Sequence, residues 1–98
     1  ASAEVETALD AWVAGFNPED PRLDHHRLEA VWTYRSIDQS RPELLRKLLG
    51  SDNHRARAAA VHQLRYWHKE FPDSMKLLNK GANDENSIVR MEAGIAAS

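Results

Sequence analysis

The chain contains no cysteine, which removes disulfides, thiolate zinc sites, thiol catalysis and covalent c-type haem attachment from the chemistry open to it. It has no apolar run near the roughly 20 residues that cross a bilayer. Its opening Ala-Ser-Ala-Glu has neither the basic start nor the apolar stretch of a signal peptide. A surplus of positive charge is also missing. With 13 Lys and Arg against 15 Asp and Glu, the net charge is −2, whereas a nucleic-acid module usually shows a basic excess or stripe. General phosphate-backbone binding is therefore disfavoured. No Gly-rich phosphate loop, Gly-x-Ser-x-Gly elbow or dinucleotide fingerprint occurs. Nothing alternates with period two for long enough to argue a strand.

What is present is helical periodicity. Val5, Ala8, Leu9, Trp12, Val13 and Phe16 recur on one face of a first helix running roughly over 3–14. Gly15 and the segment Asn17-Pro18-Glu19-Asp20-Pro21 end it. Asp24 is placed to cap a second helix, in which Leu28, Val31 and Trp32 are apolar. Pro42 suits the first turn of a third helix, whose stripe is Leu44, Leu45, Leu48 and Leu49. A fourth helix is expected over 54–69, alanine-rich at first and bulky later. Pro72 repeats the role of Pro42 for a fifth helix, the stretch from Gly81 to Asn86 reads as a turn, and a sixth helix carries Ile88, Val89, Met91 and Ala93.

The trio Arg-x-x-Ala opens three of these stretches, at Arg27, Arg57 and Arg90, spaced by 30 and 33 residues. That period belongs to stacked helix pairs, each of which would leave an apolar face in water if it stood alone. The expected fold is all-α: a right-handed α-solenoid of about three antiparallel helix pairs, over 3–37, 42–69 and 72–97, in one domain. The final apolar stretch stops at Ser98 without a Gly, a basic residue or a Pro, and no initiator Met opens the chain, so it reads as a piece of a longer protein. An acidic residue precedes each arginine, Asp24 before Arg27, Asp52 before Arg57 and Asp84 before Arg90. Carboxylates at helix starts and forked guanidinium groups predict a ladder of Asp and Arg tying each turn to the next pair.

Ala56-Arg57-Ala58-Ala59-Ala60-Val61 and Val89-Arg90-Met91-Glu92-Ala93-Gly94 resemble the second helix of HEAT-like repeats, the type also found in phycobilin lyases. The resemblance is clear over 42–98 and loose over 1–41. It implies a scaffold and says little of function, since such repeats serve many unrelated proteins. The runs His26-Arg27-Leu28-Glu29-Ala30-Val31-Trp32 and Leu64-Arg65-Tyr66-Trp67 are also similar to the HEAT-like region of large secreted bacterial proteins that join a sugar-dehydrogenase-type propeller to a c-type cytochrome domain. That narrower resemblance implies a periplasmic or secreted setting and an accessory role beside redox chemistry housed elsewhere, since no Cys-x-x-Cys-His occurs here.

Five histidines invite a metal hypothesis, but His54, His62 and His68 miss the i, i+4 spacing that puts two ligands on one helical face. No metal or cofactor is expected. The carboxylates read as caps and solvated surface rather than an acid/base pair. Trp12 and Trp32 are expected between helices. Tyr66 and Trp67 lie about 100° apart, so burial of Trp67 turns Tyr66 outward. With His62, Arg65 and Lys69, Tyr66 forms the candidate interaction surface, because aromatics and arginine anchor interfaces. The reading is a non-enzymatic helical scaffold for protein interaction or domain spacing. Nucleic-acid binding is the alternative that a contiguous basic groove would favour; neither a membrane nor a small molecule is an expected partner.

Overall fold

The computed structural model describes residues 3–97 as six α-helices joined by short turns. They are α1 (Ala3–Ala14), α2 (Leu23–Ser36), α3 (Pro42–Leu49), α4 (His54–Trp67), α5 (Ser74–Ala82) and α6 (Ser87–Ala97). One 3₁₀ turn, His68–Glu70, follows α4, so the α-helix ends two residues before the expected Lys69. No strand occurs among the described residues.

Local chemistry explains most of the boundaries. Pro42 opens α3, where its absent N–H costs nothing. Asn53 caps α4 by accepting from the Arg55 amide at 2.9 Å, and Asn86 caps α6 by accepting from the Ile88 amide at 2.9 Å. Three expectations fail. Asp24 lies inside the first turn of α2, with Arg22 at the capping position. Pro72 precedes Asp73, which flanks α5, so it is not in that helix's first turn as Pro42 is in its own. Gly81 belongs to α5, not to a lengthened turn; the turns at 50–53 and 83–86 are equal in length. The extra residues of the third unit sit instead in the longer connection before α5 and in α5 itself, which has nine residues against eight in α3.

The helices associate as α1 with α2, α3 with α4 and α5 with α6, and the most extensive packing of all joins α4 to α6. Small side chains make that approach possible. Ala56, Ala58 and Ala60 are buried on α4, and Val89 and Ala93 on α6. Gly81 meets both helices: a Cβ there would stand 3.1 Å from the Ala93 Cβ and 3.5 Å from Val61 Cγ2. One apolar cluster runs from Leu9 through Val31, Leu45, Leu64 and Phe71 to Val89. Gln63 is buried within this region, and its Nε2 finds no acceptor among the described residues. The molecule measures 38 × 30 × 18 Å, and the short axis matches two helix layers at the usual interaxial distance of about 8–10 Å.

Trp12 and Trp32 do not pack between helices as expected. They are 44% and 51% exposed. Trp12 instead lies edge-on to Phe16, with ring centroids 4.8 Å apart. α1 is covered chiefly by α2, and it stands off α3 across a groove of about 560 Å³ lined by Val13, Tyr34, Pro42 and Leu44.

Candidate interaction surface

α4 places its residues by the 3.6 period. Ala60, Leu64 and Trp67 turn into the core, while His62, Arg65, Tyr66 and Lys69 are all exposed, the last from the 3₁₀ turn. The structure thus brings the four expected residues onto one outward stripe. Two further residues join them. The Arg35 guanidinium from α2 lies over the Tyr66 ring, 3.6 Å from its centroid. Glu92 from α6 meets His62 Nδ1 at 3.1 Å. Arg35 was reachable from the repeat, since the first step of 30 residues carries it onto Arg65; Glu92 was not, since the second step of 33 carries His62 onto Ile95. Arg35, Tyr66 and Lys69 line a groove of about 390 Å³ with Asp38, Gln39 and Glu70. Stacking a guanidinium on an aromatic face is favourable by about 0.5–1 kcal/mol at exposed sites and holds both groups in place.

The six ladder residues divide into distinct contacts. Arg57 is the hub. Its Nε and Nη2 donate to the two Asp84 carboxylate oxygens at 2.9 and 3.0 Å, and its Nη1 donates to the carbonyls of Ser51 and Asp52 at 2.9 and 3.1 Å. One side chain therefore ties its own turn to the turn of the following pair. The hydrogen bonds from Arg57 hold the Asp84 carboxyl below the usual carboxylate range. Asp52 takes part through its carbonyl rather than a carboxylate rung, because Asn53 already supplies the cap. Arg27 stays within α2, where its Nη1 stands 3.5 Å from Asp24. The Asp24 carboxylate is the group that crosses, accepting from the Ser51 hydroxyl. Arg90 donates through Nη1 to the Asp84 carbonyl at 2.8 Å.

Two ion-pair centres lie outside the expected ladder. Arg46 forks onto Asp73 at 2.7 and 3.0 Å, joining α3 to the start of α5, and the arginine holds the Asp73 carboxyl low. Arg41 donates to Glu6 and, through Nε at 3.2 Å, to Asp10, fastening α1 to the α2–α3 connection. Asp10 also accepts from the hydroxyl of Tyr34, a side chain only 1% exposed. Hydrogen bonds from Arg41, then from Tyr34, lower the Asp10 carboxyl. Burial first, then the neighbouring Asp10, pushes the Tyr34 hydroxyl up to about 12. Glu6 and Asp10 are four apart on one helical face, a readable receptor for an arginine, but nothing in their spacing says which arginine answers.

The two histidines of α2 form small surface pairs. His25 and His26 contact Glu29 at 3.1 and 3.5 Å, and His26 lies 3.3 Å from Asp20. Among the described residues no group of three or more His, Asp or Glu is gathered to hold a metal ion, and no helix is long and apolar enough to cross a membrane. The sequence matches no protein-family model, and comparison with curated proteins and with solved structures returned no match.

Proposed function

We propose that this chain is a non-catalytic module of stacked HEAT-like helix pairs, a right-handed α-solenoid, whose second helices present a surface to a protein partner. The observation that carries this reading is the outward stripe of α4, with Arg35 held flat on Tyr66. Tyr66 with Arg35 stacked on it from α2, and Arg65 exposed beside it on α4, supply the side-chain types that most often dominate binding energy. α4 itself contains no carboxylate, and Arg55, Arg65 and the following Lys69 all lie exposed. The partner surface is accordingly acidic, with at least one pocket that takes the Tyr66 ring.

The test is affinity capture with cross-linking from the organism that encodes the chain, comparing the native protein with Tyr66→Ala and Arg65→Glu. Both variants change exposed side chains and leave the thermal midpoint near that of the native chain. Both weaken the same partner at least about tenfold, the consequence of losing about 1.4 kcal/mol at one anchor. Retention of every captured protein by the double variant ends the reading. Binding of a nucleic-acid fragment that falls steeply with salt would transfer the surface to nucleic acid, against the net charge of −2.

A further inference from the structure

Arg57 and Arg90 begin identically. Each sends Nη1 to the carbonyl of the residue six positions earlier, Ser51 in one case and Asp84 in the other. They then differ. Arg57 spends its other edge on Asp84, 27 residues further along, while the Nε and Nη2 of Arg90 donate to no acceptor among the described residues. The surrounding helix repeats the contrast. On α4, Ala58, Val61 and Leu64 are 7%, 2% and 1% exposed, and Val61 is covered by Gly81 of α5. A step of 33 residues carries those positions to Met91, Gly94 and Ala97 of α6. There Met91 is 54% exposed, a Cβ on Gly94 would meet nothing within 4 Å, and Ala97 is exposed.

We infer that this face of α6 is a docking site for a helix pair built as α5 and α6 are, with an aspartate in the turn before its second helix seated on the open edge of Arg90. Two features select that occupant. The guanidinium edge asks for a forked carboxylate. The apolar strip beside it has the positions that α4 uses to receive α5 and α6. A flat acidic surface would satisfy the first and leave Met91 in water; an apolar helix alone would bury Nε and Nη2 unpaired. The inference rests on the stacked-pair part of the function proposed above and not on the α4 surface.

The probe is a second copy of residues 66–98 joined directly after Ser98. This sets the copied aspartate 27 residues beyond Arg90, the separation that joins Arg57 to Asp84. The extended chain should unfold in one cooperative transition several degrees above the original, with the Met91 and Gly94 amides exchanging at least about tenfold more slowly. Arg90→Gln should remove most of that gain in the extended chain and change the original little. Replacing the copied aspartate with asparagine should do the same. An extension that stays protease-sensitive, or a gain indifferent to both substitutions, overturns the inference. So does a dimer of the original chain that Arg90→Gln dissolves, since the face would then belong to a second copy. The α4 capture experiment is read independently, so a failure here is separable from a failure there.

Discussion

Two glycines with the same helical role have opposite fates. At Gly81 an added methyl would press on the Ala93 Cβ at 3.1 Å, and neither neighbouring backbone can yield without moving a helix. At Gly94 the same methyl enters open space. Alanine is favoured over glycine in a helix by about 1 kcal/mol, whereas overpacking costs about 1–3 kcal/mol. Gly81→Ala should therefore lower the unfolding free energy, and Gly94→Ala should raise it by about 0.5–1 kcal/mol, both read by urea denaturation. A gain at both sites would mean that α5 and α6 do not approach as closely as described. None of this was legible beforehand. An isolated glycine reads as punctuation, and its true constraint, a side chain on another helix, has no local signal. Asn53 and Asn86 show the opposite case: their caps are local, and the helix starts they set fall within a residue of expectation.

α1 is the element least secured by its own burial. Only Leu9 of its 12 residues is fully buried, and a helix of that length is marginal on its own in water. Arg41 compensates by holding Glu6 and Asp10 on successive turns while lying 4.6 Å from the Tyr34 ring centroid. Arg41→Met should lower the unfolding free energy modestly through lost charge-assisted hydrogen bonds that solvent partly screens. The loss should be local. Hydrogen exchange should accelerate at Leu9 and its neighbours while α4 keeps its protection, and unchanged exchange at Leu9 would show that α2 alone secures the helix. The periodicity of α1 was plain in the sequence; the extent of its cover was not. A stripe of apolar residues says which side of a helix seeks a partner, and Trp12 lies on that stripe yet is left half in water because one neighbour cannot span it.

Across the whole molecule, stability should fall at both ends of the pH scale for different reasons. Asp84, Asp73 and Asp10 have folded-state carboxyls held below the ordinary aspartate value of 3.8 by arginine hydrogen bonds. The stability they contribute is present above that value and is lost as pH drops through the lowered one. Tyr34 runs the other way. Its hydroxyl is raised from 10.0 to about 12, so its contribution is intact below 10 and disappears between 10 and 12. Thermal midpoints across this range should show both limbs, and Tyr34→Phe should flatten the alkaline limb while making the acid limb slightly shallower, because Asp10 loses one of the hydrogen bonds that lower it. Of these groups, only Asp84 stood in the expected ladder, because its arginine recurs with the repeat; Arg46 and Arg41 answer carboxylates that no motif connects to them. A division of labour follows. Carbon on carbon makes up the bulk of the contact both within the helix pairs and between α4 and α6, while the polar links between pairs, Asp24 to Ser51, Arg41 to Asp10, Arg46 to Asp73, Arg57 to Asp84 and His62 to Glu92, are largely ionic and lie at the margin of the core. Dissolved ions weaken the second kind of contact and spare the first. Salt should therefore loosen the clasps at the turns while the apolar seam between α4 and α6 holds.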